Sequence, residues 1–357
     1  MKIVKRLLVA LAWMISGAAA YLYILNRLLI QARDKRFKSF MIRAGGLLSV
    51  AISAAVGWRA GASRWSIIPT IALIVTAAGE MRRLALRARH AGDAPVREEG
   101  LALSLARPNT TTDLVLRFYE TGVEGWRGPR VRVAHVSDFH LNHHLPLEYF
   151  VESLRRVMQT EPDFVFFTGD FITRARFVPL IKMVLPLARG RWGTFGVIGN
   201  HDRWAELADV RAAAAAAGIH MLDGQPVRVP LLENATVVIA GYEHPWAAAG
   251  EPVPAFFTPG ELALVLTHTP DNIPRLEGRG IDAVFAGHYH GGQIRIPGLG
   301  SLVVPSKYGR QYDHGHFRFG RTHLFVTSGV GSAEPPVRIW CPPDALIVDF
   351  LPDEDAA

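Results

Sequence analysis

The sequence is almost without cysteine, because Cys341 is the only one among its 357 residues. A single thiol excludes a framework of disulfides within the chain and fits a reducing compartment. An internal repeat is also lacking, and the placement of the basic residues in the N-terminal region suits anionic lipid headgroups better than nucleic acid. The length suffices for one large domain and an attached region, and no nucleic-acid partner is expected.

Charge is absent from residues 7–25, a stretch long enough to cross the hydrocarbon core of a bilayer. Basic residues precede and follow this stretch. Tyr21 and Tyr23 lie near one end, where interfacial aromatic residues are common. A cleaved signal peptide is the alternative interpretation, because the alanines at 18–20 resemble a cleavage site.

Two further stretches without charge follow, at residues 44–58 and 65–79. They favour a retained anchor, although each is short for a complete span and Pro69 interrupts the second. Residues 1–80 are therefore expected to form a membrane-anchoring region with one to three transmembrane helices. Residues 81–112 are expected to be a linker to a folded domain over residues 113–351.

Basic residues around these stretches predict the orientation in the membrane. The positive-inside rule places the segments that follow the first and third stretches in the cytoplasm. These segments contain Arg27, Arg33, Lys35, Arg36, Lys38 and Arg43, and then Arg82, Arg83, Arg87 and Arg89. Three spans place the folded domain in the cytoplasm, whereas one span that begins inside places it outside. The net charge of +7 is concentrated in this N-terminal region and suits anionic lipid headgroups.

Short apolar runs predict strands, and amphipathic stretches between them predict helical crossovers, so the sequence predicts an α/β fold. The strands are expected at residues 131–136, 163–168, 194–198, 262–266 and 282–285. The helices are expected at residues 146–159, 178–188, 205–217 and 271–276, and Pro274 interrupts the last of them.

Five polar segments lie just after these five strands, and each contains an oxygen donor or an imidazole. In chain order they are Asp138-Phe139-His140, Gly169-Asp170, Gly199-Asn200-His201-Asp202, His268 and Gly287-His288-Tyr289-His290. Binding sites in sheets with helical crossovers gather beyond the carboxyl ends of the strands. The five segments are therefore candidates for one metal site.

Their order and spacing resemble the signature of the calcineurin-like metallophosphoesterase superfamily, over roughly residues 130–345. The resemblance implies a sandwich of two β-sheets flanked by helices, here preceded by N-terminal transmembrane helices. It also implies a two-metal centre that hydrolyses a phosphate ester or anhydride. The domain over residues 113–351 would then be the catalytic domain.

The same resemblance implies a role for each polar residue. The first metal would be held by Asp138, His140, Asp170 and His290. The second would be held by Asp170, Asn200, His268 and His288, so that Asp170 bridges the two. His201 would stabilise or protonate the leaving oxygen, and Asp202 would orient its imidazole.

The donor types indicate which cofactor is expected. Neutral imidazoles suit Zn, Fe and Mn, while carboxylate and amide oxygens favour harder ions. The mixture predicts two divalent metal ions, either Mn, Zn or Fe, with Mn favoured.

The remaining histidines are expected to have no part in metal binding. His135 is predicted to be packed inside a strand, and His244 to lie in a turn. Solvated loops are predicted for His143, His144, His314 and His316.

Residues 291–297 and 330–338, followed by Pro342 and Pro343, resemble a membrane-anchored bacterial branch of the superfamily. Some proteins similar to this branch split the pyrophosphate of UDP-2,3-diacylglucosamine. The resemblance implies a phosphohydrolase of the bacterial inner membrane, with the catalytic domain in the cytoplasm. Its substrate would be a phosphorylated small molecule or a lipid-linked one. The alternatives are a general phosphodiesterase on soluble substrates and a membrane binding protein with a vestigial metal site.

Overall fold

The structure is a computed structural model, and it describes residues 2–25, 40–60, 65, 67–232, 235–246 and 257–352. The basic segment at 26–39 and the C-terminal residues 353–357 lie outside the described residues. The chain forms two compact units. The first, the N-terminal unit, contains residues 1–89 and 302–311, and the second contains residues 90–301 and 312–357.

The N-terminal unit is helical. Its helices are α1 (Lys2–Ile24), α2 (Gly46–Ala60) and α3 (Ile67–Arg89), and a π-helical turn at Met41–Gly45 precedes α2. In the described part of the chain, α1 alone is long and apolar enough to cross a membrane. Its 23 residues rise about 34 Å, and the hydrocarbon core is about 30 Å thick. The 15 residues of α2 rise only about 22 Å.

Small and polar residues line the contacts of α1 with the other two helices. Ser49 Oγ donates to the carbonyl of Gly17 at 3.1 Å, and Ser16 Oγ donates to the carbonyl of Pro69 at 2.9 Å. A Cβ atom on Gly57 would overlap Trp13 of α1, so glycine permits the close approach. Close packing through small residues with interhelical hydrogen bonds is typical of helices in membranes.

Helix α3 continues through residues 81–89 of the expected linker. Its charged second half holds the separate segment 302–311 in the same unit. Arg310 forms an ion pair with Glu80, and Arg87 donates to the carbonyl of Gln311 at 3.1 Å.

The second unit contains two large β-sheets and several short helices. Its helices are α4 (Leu147–Met158), α5 (Val178–Val184), α6 (Asn200–Ala205), α7 (Leu207–Ala216) and α8 (Ile273–Leu276). Its strands are β1 (Arg97–Glu99), β2 (Val115–Gly122), β3 (Val131–Val136), β4 (Phe164–Phe167), β5 (Gly193–Gly196), β6 (His220–Met221), β7 (Val227–Leu232), β8 (Ala235–Tyr242), β9 (Leu262–Thr267), β10 (Ala283–Ala286), β11 (Arg295–Ile296), β12 (Gly300–Ser301), β13 (Gly315–Phe319), β14 (Thr322–Val326) and β15 (Asp344–Leu351).

The seven-stranded sheet has the order β1-β2-β15-β3-β4-β5-β6, and the six-stranded sheet has the order β13-β14-β10-β9-β8-β7. Strands β3, β4 and β5 are parallel neighbours in the first sheet, as are β8, β9, β10 and β14 in the second. The loops at the carboxyl ends of these parallel strands therefore lie along one edge of each sheet. The remaining pair, β11 and β12, forms a small hairpin.

Two apolar clusters show the layer order. One lies between the two sheets, where Phe166 and Val133 of one sheet join Leu264 and Phe285 of the other. The other covers the opposite face of the seven-stranded sheet, where α4, α5 and α7 pack. The predicted α/β sandwich flanked by helices is thus confirmed.

The predicted elements differ from the observed ones mainly at prolines. All five predicted strands are present, with ends that differ by at most two residues. The helix predicted at 178–188 ends at Val184, because Pro186 lies in a separate 3-10 turn at Leu185–Leu187. The helix predicted at 271–276 is a 3-10 turn followed by the single turn of α8, with Pro274 near its start.

The core between the sheets generates a prediction about stability. Phe285 is fully buried, and its ring centroid lies 5.2 Å from that of Phe166 and 5.4 Å from that of Phe325. The Phe285→Ala substitution should lower the free energy of unfolding of this unit by about 3–5 kcal/mol. Urea unfolding of the full chain measures the loss. The control Met183→Ala, at a side chain that is 59% exposed, should change it by less than about 0.5 kcal/mol. Equal effects of the two substitutions would contradict this packing.

Candidate metal centre

Loops from both sheets bring the predicted ligands together. The loops after β3, β4 and β5 of the seven-stranded sheet carry Asp138, His140, Asp170 and Asn200. The loops after β9 and β10 of the six-stranded sheet carry His268, His288 and His290. The site therefore depends on the two sheets being held face to face.

The ligand loops have an unusual backbone. Five residues adopt left-handed conformations, with φ between 46° and 71°: Asp138, His140, Asp170, His288 and His290. Such a conformation costs about 1–3 kcal/mol for a residue other than glycine and persists only where the surroundings impose it. Here the loops bond to one another. Asp138 N donates to Gly169 O at 3.0 Å, and His140 N donates to Asp170 O at 2.9 Å.

Two glycines allow the second and third loops to touch. A Cβ atom on Gly169, where φ is +92°, would overlap the backbone of Gly199. A Cβ atom on Gly199 would overlap the carboxylate of Asp170. Glycine at both positions lets Asp170 and Asn200 approach the same point.

The first group of donors contains Asp138, His140, Asp170 and His290, and all four are buried. His140 Nε2 lies 3.0 Å from His290 Nε2 and 3.4 Å from Asp170 Oδ2. His290 Nε2 lies 3.3 Å from Asp138 Oδ1. Four donor atoms thus converge on one point.

The second group contains Asp170, His268 and His288, and Asn200 adjoins it. His268 Nε2 lies 3.4 Å from Asp170 Oδ2, 3.2 Å from Asn200 Oδ1 and 3.1 Å from His288 Nδ1. The same oxygen, Asp170 Oδ2, therefore belongs to both groups.

The donor set fits two divalent cations. Asp138 Oδ1 is buried and accepts no hydrogen bond from the described residues. The Nε2 atoms of His140 and His290 face each other, and two imidazole lone pairs repel unless a proton or a cation lies between them. Buried carboxylates beside neutral imidazoles match the ligands of Mn, Zn and Fe.

Burial and neighbouring charges shift the pKa values of these residues, and the resulting protonation states bear on cation binding. Burial raises the pKa of Asp138 to about 6, and the charge of Asp170 adds to this. Burial opposes ionisation of Asp170 as well, but His268 and His201 hold the pKa of that carboxyl well below its usual value. Burial lowers the pKa of His140 to about 3, so its imidazole is neutral and free to donate a lone pair.

The imidazole of His268 is oriented by a hydrogen bond on the side that faces away from the site. Burial opposes its charged form, yet the attraction of Asp170 raises the pKa of His268 to about 9. Its Nδ1 donates to the carbonyl of Thr168 at 2.6 Å, which points Nε2 into the site. A bound cation would replace the Nε2 proton.

The two predicted catalytic residues lie in α6, whose first residue is Asn200. His201 is half-buried, and its ring centroid lies 4.6 Å from that of His140. The buried carboxylate of Asp202 accepts the N–H groups of Gly199 and Phe171, both at 2.9 Å, and so ties two ligand loops together. Its role in orienting the His201 imidazole stays a prediction.

Two residues near the site were missed by the sequence interpretation. Trp246 follows the turn at His244, and its ring lies 5.1 Å from that of His268 and 5.0 Å from that of His288. Arg338 is fully buried, donates to the carbonyl of His290 at 3.3 Å and lies 3.4 Å from the Nδ1 atom of that residue. In the sequence, Arg338 was marked only as the last residue of the segment 330–338, and Trp246 only by its place two residues after His244.

The other histidines divide between confirmed and wrong predictions. His135 is fully buried in β3, His244 lies in a turn, and His143 and His144 are exposed, as predicted. The solvated loop predicted for His316 is wrong, because this residue lies in β13 and stacks on Phe325 at 4.5 Å. His314 lies in a loop, as predicted, but it is not solvated as expected, because its Nε2 contacts the buried carboxylate of Asp344.

Comparisons with known proteins agree with this geometry. The family model for calcineurin-like phosphoesterases matches residues 131–292. The phosphodiesterase YaeI of Escherichia coli is 28% identical over 227 residues, which cover 62% of this chain and 82% of YaeI. The uncharacterized metallophosphoesterase YkuE of Bacillus subtilis is 25% identical over 230 residues, which cover 60% of this chain and 77% of YkuE.

A third relative is the UDP-2,3-diacylglucosamine pyrophosphatase LpxG of Chlamydia trachomatis, which is 26% identical over 282 residues. The match covers 62% of this chain and 84% of LpxG. The fold, the converging donors and these relatives together show that the chain belongs to the calcineurin-like metallophosphoesterase superfamily and is a metal-dependent phosphohydrolase.

Proposed function

We propose that the protein is a membrane-anchored phosphohydrolase that uses two divalent metal ions, with Mn favoured. The observation that carries this proposal is the position of Asp170 Oδ2, which lies 3.4 Å from a histidine of each donor group. Its position near a donor of each group would let one carboxylate contribute to both ions. Asp138, His140, Asp170 and His290 would hold one ion, and Asp170, Asn200, His268 and His288 the other.

The residues around the ions would position the substrate and move a proton. Bound divalent cations would supply Lewis acidity toward a phosphoryl oxygen and lower the pKa of water. His201 N donates to Asp170 Oδ1 at 2.8 Å, which fixes the start of α6 beside the bridging carboxylate. From that position the His201 imidazole gives a proton to the leaving oxygen, while Asp202 keeps its loop in place.

The substrate is proposed to be a phosphoester or pyrophosphate, with a lipid-linked molecule such as UDP-2,3-diacylglucosamine as the leading candidate. The similarity to LpxG and the apolar helix α1 support this choice. The similarity to the phosphodiesterase YaeI favours a second candidate, a general phosphodiesterase on soluble substrates.

Residues 1–80 are proposed as the anchor, 81–112 as the linker and 113–351 as the catalytic domain. The basic residues at the end of α3 support a bacterial inner-membrane protein with its catalytic domain in the cytoplasm. This orientation predicts the outcome of a protease experiment. Protease added to intact spheroplasts should leave the catalytic domain uncut, because the membrane would shield it. Cleavage of the catalytic domain there would contradict this orientation.

The bridging role of Asp170 generates the next prediction. Asp170→Asn removes the negative charge between two cations, so at least one metal should be lost and activity should fall by orders of magnitude. Metal content per protein and turnover of an aryl phosphodiester measure both effects. Asp163→Asn is a matched control. Asp163 lies just before strand β4 and Asp170 lies after it, but Asp163 accepts a hydrogen bond from Arg132 N and belongs to neither donor group. Two bound metals and normal turnover in Asp170→Asn would defeat the two-metal proposal.

The role of His201 can be separated from metal binding. His201→Ala should retain both metals and lower kcat by about 10²–10⁴-fold, the usual cost of a lost general acid. The loss should shrink for substrates with good leaving groups, which need less protonation. Steady-state kinetics over a series of aryl esters measure this dependence. An equal loss for all leaving groups would mean that His201 acts by positioning or charge stabilisation and not by giving a proton.

The lipid-linked substrate generates a prediction about the anchor. Deleting residues 1–60 removes α1 and α2 but keeps α3, whose Glu80 pairs with Arg310. Activity on small soluble diesters should persist, whereas turnover of a vesicle-borne substrate should fall much further, because anchoring raises the effective concentration. The measured quantity is the ratio of the activity lost on the vesicle-borne substrate to the activity lost on soluble diesters. Equal losses would favour the soluble-substrate alternative.

A further inference from the structure

Two short extended segments lie side by side just after the last metal loop. One runs from Ile294 to Ile296, and the other runs from Val337 to Ile339. Arg295 N donates to Ile339 O at 3.0 Å, and Ile339 N donates to Gln293 O at 2.8 Å. The backbones therefore hold the two segments together as a small ribbon.

The side chains of this ribbon alternate in an inverted pattern. Ile294 and Ile296 are 41% and 42% exposed, and Val337 is 41% exposed. Arg295 lies between Ile294 and Ile296, and Arg338 lies between Val337 and Ile339. Both arginine side chains point inward. Surface strands normally place apolar side chains inward and charged ones outward. The inversion needs a physical reason.

Bonds to the interior fix both arginines. Arg295 Nη1 donates to Asp313 Oδ2 and to Gly291 O, each at 2.9 Å, and the Asp313 carboxylate is 1% exposed. Arg338 donates to the carbonyls of Ser328 at 2.6 Å and Gly329 at 3.1 Å. Burial of a guanidinium is costly unless it is bonded in this way. The outward position of the aliphatic side chains is thus imposed by the fold.

The ribbon lies close to the last metal loop along the chain. Ile294 follows His290 by four residues, and Arg338 donates to the carbonyl of His290 at 3.3 Å. The hairpin of β11 and β12 continues the ribbon and exposes Leu299 at its turn. Residues 302–311, which follow directly, belong to the same compact unit as α1.

We propose that the outward face of this ribbon, formed by Ile294, Ile296, Leu299 and Val337, inserts into the boundary between headgroups and acyl chains of the bilayer. The inference rests on the membrane anchoring proposed above. An apolar surface that is buried in this boundary gains hydrophobic free energy, which explains why the aliphatic side chains point outward and the arginines inward. A lipid-linked substrate would then enter the metal site without leaving the membrane surface.

The test places a fluorescent probe on the ribbon of the full chain. Ile296→Cys is labelled with an environment-sensitive bimane and reconstituted in vesicles of phosphatidylcholine and phosphatidylglycerol. The native Cys341 is 2% exposed, and the unsubstituted protein measures its background labelling. Met183→Cys on α5, 59% exposed, is the control site. Val337→Cys repeats the measurement from the second segment if Ile296→Cys does not fold.

The expected result is a blue shift of the ribbon probe and a strong loss of its emission when lipids with a doxyl group at a shallow acyl carbon are added. The Met183→Cys probe should show neither change. Quenching of the ribbon probe by aqueous iodide alone would overturn the proposal, because the face would then contact water. A blue shift without quenching by lipid would also overturn it, because a second copy or another protein would then cover the face. Flotation of the same vesicles reports separately on anchoring, so failure of the anchor is distinguishable from failure of the ribbon.

Discussion

The shared oxygen of Asp170 is the point on which the rest of the site depends. Asp170 Oδ2 faces His140 from the seven-stranded sheet and His268 from the six-stranded sheet at the same distance, 3.4 Å. A shift of one sheet relative to the other would move His268, His288 and His290 away from the remaining donors and would disrupt both groups. The apolar layer between the sheets, with Phe166 against Phe285, therefore maintains the site as well as the fold.

The strained ligand loops are held by hydrogen bonds to side chains that are not metal ligands. The carboxylate of Asp202 accepts backbone N–H groups from two loops. The guanidinium of Arg338 joins the carbonyl of His290 to that of Gly329. Each bond satisfies a buried polar group, which otherwise destabilises the folded state. These hydrogen bonds therefore offset part of the cost of the left-handed conformations in the ligand loops.

Local patterns predicted the centre of the fold, and the resemblance to the superfamily predicted which polar residues would gather at its edge. Continuous apolar runs identify the parallel strands, such as β4 and β9, because both faces of these strands are buried. The position of β15 between β2 and β3 was not predicted, because it depends on pairing between residues more than 200 positions apart. His316 was placed wrongly for a related reason: a polar residue in a short strand packs inward when a stack of aromatic rings receives it.

The inverted ribbon shows a further limit of sequence interpretation. The alternation in Ile294-Arg295-Ile296 is visible in the sequence, but alternation alone does not state which face is buried. That choice is made by Asp313, which lies 18 residues from Arg295 along the chain and accepts its guanidinium.

Anomalous diffraction from crystals grown with Mn²⁺ tests the central claim most directly. Two manganese peaks about 4 Å apart are expected, one on each side of Asp170. His140 and His290 should contact one peak, and His268 and His288 the other. A single peak, or two peaks that do not share Asp170, would contradict the claim.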